Sequence, residues 1–198
     1  MRFFFLGILL ITGVVSGVAQ TFGLRTGGNI AWQTWQQQNV RLTPKKRIGP
    51  HIAVSVTSMH LKYLASQIEA GYSVIGHGGY TGVGTFNSVP EDQLAFVTLG
   101  FMVKFHPVKK FNIVAGPQFG FFIGNKSKFK NNTGKEDLVI SMGAEYYFSD
   151  IVGIGGSYHL GLTDLNDDDP NVFIQKSRAI QLSIIFRLPS HQLKDYGF

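Results

Sequence analysis

Eight segments of this 198-residue chain alternate apolar and polar side chains, and they follow what reads as an export signal. The segments are residues 22–33, 48–57, 64–74, 94–105, 111–124, 138–148, 152–163 and 179–188. Past the leader, no run of about 18 or more apolar residues exists to cross a bilayer as a helix. In lipid every backbone N–H and C=O must be paired within the protein, so the remaining spanning structure is a closed barrel. Alternation over roughly ten residues between turns is the pattern of a transmembrane β-barrel. The expected fold class is therefore all-β, an eight-stranded antiparallel up-and-down transmembrane barrel.

The leader carries Arg2, an apolar run from Phe3 to Ile11, and small residues at Ser16, Gly17 and Ala19. A charged start, a short apolar stretch and an A-x-A-like end describe a cleaved secretory signal peptide. Residues 1–19 are accordingly set apart, and 20–198 are read as one barrel domain. The chain has no Cys, so it uses no disulfide and lacks a lipoprotein's lipid-bearing Cys.

Successive side chains of a strand point to opposite faces. On the last segment Ile180, Leu182, Ile184, Phe186 and Leu188 share one face, against Gln181, Ser183 and Arg187. The third puts Ile68, Ala70, Tyr72 and Val74 opposite Gln67, Glu69, Gly71 and Ser73. Bulky residues on one face suit lipid, and Gly, Ser and charged residues on the other suit a narrow polar lumen. Alternation alone does not say which face is inside; a soluble eight-stranded barrel such as a lipocalin turns the apolar face in. Pro50 and Pro117 fall within two of the segments, and each removes a ladder donor.

The connections alternate in length. Short ones fall near residues 59–62, 106–110 and 149–151, and long polar ones at 34–47, 75–93, 125–137 and 164–178. Outer-membrane barrels have short periplasmic turns and longer external loops. Both termini then lie in the periplasm. An aromatic girdle follows, with Phe22, Phe105, Phe111, Tyr146 and Phe148 at periplasmic strand ends and Trp32 and Trp35 at the external end.

The opening Phe22-Gly23-Leu24-Arg25-Thr26-Gly27-Gly28-Asn29 fits a Gly-x-x-x-Gly-x-Asn first strand. Ala115-Gly116-Pro117-Gln118-Phe119-Gly120 fits an Ala-Gly-Pro-x-x-Gly strand, and Tyr158 to Asp164 is close to Tyr-x-x-Gly-Leu-Thr-Asn. In these motifs the chain resembles the outer-membrane β-barrel family that includes PorT-like proteins of Gram-negative bacteria. The fourth segment departs, with Thr98 and Gly100 where that family often has Glu and Pro. The resemblance implies the fold. It brings one functional alternative, an accessory subunit of a secretion or envelope complex, and fold analogy alone does not carry function.

The inward faces gather five charged residues: Arg25, Glu69, Lys104, Glu145 and Arg187. Arg25, Lys104, Glu145 and Arg187 are expected in the periplasmic half. They could line an ion path or fill the lumen as a paired ionic plug. An eight-stranded barrel is only wide enough for its own side chains, and buried charges are tolerated only when paired. The plug is the expectation.

Catalysis has a weaker case. Ser157 and His159 share a face two residues apart, with His51 a further candidate, but no acid is evidently placed to orient the His. A rim-sited lipid hydrolase is the remaining enzymatic alternative, and the expectation is no enzyme. Asp164, Asn166, Asp167, Asp168 and Asp169 offer oxygen ligands suited to Ca²⁺, without EF-hand spacing. A solvated acidic loop explains them. No nucleotide loop, haem site or Cys/His zinc site is present, so no cofactor is expected. Asn125-Lys126-Ser127 and Asn131-Asn132-Thr133 match the glycosylation sequon, which carries little meaning in a bacterial setting.

The net charge is +6. The chain has no basic helix or aromatic-basic stacking platform for nucleic acid, so the excess points to outer-membrane lipid and lipopolysaccharide. The expected protein is a monomer with a closed lumen. Its structural or binding role would run through the external loops, with other envelope proteins as further partners.

Overall fold

The computed structural model describes residues 19–37, 40–42, 45–79, 91–125, 136–165 and 174–188. Nine strands form among them: β1 (Ala19–Gln37), β2 (Val40–Leu42), β3 (Arg47–Leu61), β4 (Leu64–His77), β5 (Asp92–Val108), β6 (Phe111–Asn125), β7 (Glu136–Tyr147), β8 (Val152–Gly161) and β9 (Ile174–Leu188). Neighbours pair in the order β2-β1-β3-β4-β5-β6-β7-β8-β9, all antiparallel, and β1 also pairs β9. That last ladder runs from Phe22↔Leu188 to Gln36↔Ile174 and closes the sheet. Eight strands make the ring, which leaves no open edge in it. No helix among the described residues is long and apolar enough to cross a membrane; a barrel crosses with strands.

The eight expected strands all form, and several run further than the alternation indicates. β1 continues to Gln37 and folds back through β2, with Trp35 opposite Leu42. The first long connection thus contains a short hairpin that its polar composition concealed. β5 extends to Val108, which puts His106 on a strand with its side chain buried rather than in a turn. The turn there is only Lys109–Lys110. Bulges sit near strand ends, at Met59/Leu61, Ala95/Phe96 and Phe105/Val108, where they re-aim the chain at a barrel rim.

Pro117 pairs Ile140 on β7, but the β5–β6 ladder lapses opposite Gly116 and Pro117 and resumes in the same register. The missing donor is absorbed there without a register slip. Gly27 allows close approach on the other side of the ring: a Cβ there would run into the Leu182 carbonyl.

The face assignment decides the architecture. Phe22, Ile52, Val54, Val103, Phe119, Leu182 and Ile184 are exposed on the outside, while Asn29, Gln67, Glu69, Lys104, Asn112 and Glu145 are buried within. This is the reverse of a soluble barrel, which would leave the polar face in water. One assignment differs. Val74 was expected outside and is buried. The β3–β4 ladder ends at His51↔Ser73, and beyond it β3 stays close: a Cβ on Gly49 would meet the Val74 carbonyl and, at 3.1 Å, the Val74 side chain. Residues 1–18 and 189–198 lie outside the described residues, as do the leader's cleavage, the tail, Asn166 to Asp169 and both sequon tripeptides beyond Asn125. β1 begins at Ala19, a one-residue difference from the expected boundary at 19 and 20.

Candidate functional site: the lumen

The inward residues of β1, β4, β5 and β7 meet across the lumen because an eight-stranded ring is narrow enough for opposite walls to touch. Arg25 on β1 reaches Glu145 on β7 through Nη2, and its Nε lies 3.2 Å from Glu69 Oε2 on β4. Lys104 Nζ on β5 lies 2.9 Å from Glu145 Oε2. Two cations thus face two carboxylates, and all four side chains are at least nine-tenths buried.

Glu145 collects further donors. Asn112 Nδ2 and the Tyr147 hydroxyl each donate to Oε2 at 3.2 Å. Together with Arg25 and Lys104 this gives four donors for the roughly four lone-pair sites of a carboxylate. Since Asn112 spends its amide N–H on Glu145, its Oδ1 accepts from His106 Nδ1 at 2.6 Å. Glu69 is held by Gln67 Nε2 at 3.0 Å, and Gln67 Oε1 accepts from Thr57 at 3.1 Å. Each carboxylate is thereby oriented by a neutral neighbour, which helps to hold a buried ionic group in place.

Arg187 stands apart from this cluster. Its guanidinium lies 4.3 Å from the centre of the Tyr147 ring and its Nε donates to the Asp150 carbonyl at 3.1 Å. It sits at the mouth on the side of the short turns and meets the network through the Tyr147 ring. Four of the five expected lumen charges therefore form one ion-paired group, and the fifth is a lid on it. Alternation placed Arg187 on the right face but gave no measure of its depth.

Gly155 makes room for the cluster. A Cβ there would lie 3.0 Å from Arg25 Nη1 and 2.9 Å from Ile185 Cδ1. Ile185, Met102 and Val114 are buried inward residues that fill the space between the charges.

The half of the lumen toward the long connections differs in kind. Leu94 and Phe96 of β5 pack with Leu165 of the last connection, and Ile75 and Phe122 complete an apolar plug. The Phe96 and Phe122 rings meet edge to face at 5.8 Å. Sequence reading missed this plug. Leu94, Phe96 and Phe122 do occupy inward positions of the alternation, a signal that was there to use. Leu165 had no such signal, because it belongs to a loop.

Between plug and ionic cluster lies a cavity of about 40 Å³, bordered by Asn29, Thr98, Gln118, Asp137, His159 and Gln181 among others. Asp137 accepts from Ser177 at one oxygen, while its Oδ1 has no hydrogen-bond partner. Smaller cavities of about 20 and 30 Å³ lie beside Arg25. Each holds a few waters at most.

The Ser157 hydroxyl and His159 Nε2 are 2.9 Å apart. Among the described residues His159 makes no bond to a carboxylate, and both ring nitrogens of His51 lack a hydrogen-bond partner. No group of three or more His, Cys, Asp or Glu suited to a metal occurs among the described residues.

Solved structures share this architecture. The chain is similar to Ail, the attachment invasion locus protein of Yersinia pestis, in complex with the heparin analogue sucrose octasulfate. The TM-score is 0.50 at 10% identity, over 86% of this chain and 99% of Ail. Neisserial surface protein A (NspA) gives a TM-score of 0.52 at 10% identity, covering 83% of this chain and 96% of that one. The outer membrane protein AlkL, solved in lipid bilayers, gives 0.50 at 8% identity, covering 88% and 92%. At such identities the likeness is one of fold alone. No curated protein matches the sequence. The family model for the outer membrane protein beta-barrel domain matches residues 4–184, and with its closed eight-stranded ring and apolar outer wall the chain belongs to that family.

Proposed function

We propose that this protein is a non-conducting outer-membrane barrel that serves as a scaffold, presenting its external connections as a binding surface. One observation carries the reading. The lumen is occupied at two levels, by the Arg25–Glu69–Glu145–Lys104 group below and by the Leu94–Phe96–Leu165 plug above. A barrel filled in this way offers its rim and outer wall for interactions, and no path along its axis.

The orientation, with termini in the periplasm, is supported by the long connections collecting at one end of the ring. A tag inserted at Asn131 is expected to bind antibody on intact cells, and a tag after Phe198 only after permeabilisation. The reverse labelling would overturn the orientation.

In this reading the protein is a monomer, carries no catalytic activity and meets lipopolysaccharide at its outer wall. The Ser157–His159 pair serves lumen packing, because no carboxylate among the described residues orients the His. A role as accessory subunit of a secretion complex rests on the short PorT-like motifs. Reproducible recovery of one envelope protein after crosslinking in native membranes would replace the scaffold reading with that one.

A further inference from the structure

The outer wall near the external rim carries charge where the rest of the wall is apolar. Leu160, Arg178 and Trp32 stand side by side on β8, β9 and β1. Lys46, just before β3, completes the row: its Nζ lies 5.3 Å from the Trp32 ring centre. Arg178 Nη1 donates to the Tyr158 hydroxyl at 3.0 Å, and the Tyr158 and Trp32 rings are 6.3 Å apart. Lys176 lies two residues further along β9, on the same face as Arg178.

Two strand spacings separate Lys46 from Arg178, so their backbones are about 10 Å apart with Trp32 between them. No carboxylate is ion-paired with Lys46, Lys176 or Arg178 among the described residues. Arg47 is different: it turns to the other face and binds Glu91 at 3.2 Å. The next row toward the barrel's middle carries no charge, with Tyr158 and Ile30 opposite Ile180 and Ile48 opposite Ile30. Ile48 is 78% exposed.

We propose that Lys46, Lys176 and Arg178, arranged around Trp32 and Tyr158, bind the phosphorylated headgroup of an outer-leaflet lipid whose acyl chains lie over Ile30, Ile48 and Ile180. Three cations with no ion-paired carboxylate among the described residues supply the charge, and guanidinium and ammonium donors match phosphate oxygens. Aromatic rings at the boundary sit where headgroup meets chain, and the long basic side chains reach from apolar wall to headgroup level. The apolar row beneath selects a lipid over a free anion. The site rests on the outer-membrane reading above and gives its binding surface a ligand class.

Full-length mature protein folded in detergent, mixed with diphosphoryl lipid A and examined by native mass spectrometry, tests the proposal. The wild-type barrel is expected to retain lipid A in preference to phosphatidylcholine. Lys176→Gln alone should weaken retention about tenfold, the value of one charged hydrogen bond. Lys46→Gln/Lys176→Gln/Arg178→Gln should abolish the preference while the heat-resistant folded band persists. Equal retention of lipid A by the triple variant would overturn the site. So would competition by inorganic phosphate as effective as by lipid A, which would mark a free-anion site. Failure of the wild type to insert into vesicles would overturn the membrane reading, and this site with it.

Discussion

Arg25 and Glu145 are 120 residues apart in sequence and form a buried ion pair across the lumen. The contact spans from the first strand of the ring to its sixth, β7, across the lumen that the closed ring encloses. It therefore ties opposite walls of the closed barrel together. Removing one partner of a buried pair costs about 3–5 kcal/mol, because the other charge is left without compensation. Glu145→Ala should cost at least that, since it strands both Arg25 and Lys104. Urea titration of the barrel in lipid vesicles measures it. A loss below about 1 kcal/mol, the scale of an exposed pair, would show that the cluster is open to water.

Gly155 and Gly156 are neighbours with opposite demands. A Cβ on Gly155 enters the space of Arg25 and Ile185, whereas one on Gly156 meets only Leu182 Cδ2 at 3.6 Å on the outer wall. Gly155→Val should destabilise by about 1–3 kcal/mol through overpacking, and Gly156→Val should be close to neutral. The same vesicle titration compares them. Equal effects would mean that the β8 faces are assigned wrongly.

The lipid-facing wall gives a third test. Ile184 is 48% exposed on β9 and Ser183 beside it is buried. Arg on the lipid face near the bilayer midplane costs about 2–4 kcal/mol. Ile184→Arg should slow or block insertion, and Ile184→Leu should leave it unchanged. A cooperative melt of residues 20–198 in buffer without detergent would contradict the arrangement altogether.

Planar bilayers containing the purified barrel should stay electrically silent. The two occluding levels act in series, so weakening one leaves the other. Phe96→Ala, which opens the plug, should therefore remain silent, while Phe96→Ala combined with Glu145→Ala should pass current if the barrel folds. Steady openings of the wild type would overturn the scaffold reading.

How far each residue could be read from the chain depends on which coordinate it concerns. A strand has a side-chain period of two, so local sequence settles that Ile184 and Leu182 share one face of their strand, and that Arg25 and Glu145 lie on the polar faces of theirs. Strand number and the alternation of short and long connections are local in the same sense. Depth along the barrel and identity of the partner across it are not local. They follow from how far each strand is staggered against the next when the sheet closes. That stagger brings Arg25 to Glu145 and Glu69, and leaves Arg187 at the mouth against Tyr147. It also sets Lys46 and Arg178 on either side of Trp32, although the three come from different strands or their edges. The plug is the extreme case. Leu165 has no strand period to declare its direction, and only the folded ring presents the Leu94 and Phe96 surface that draws it in. Alternation, a property of each strand alone, made the barrel and its two unlike faces legible in the sequence; ring closure, a property of all strands together, decided which face turned inward, the contents of the lumen and the grouping of charges on the rim.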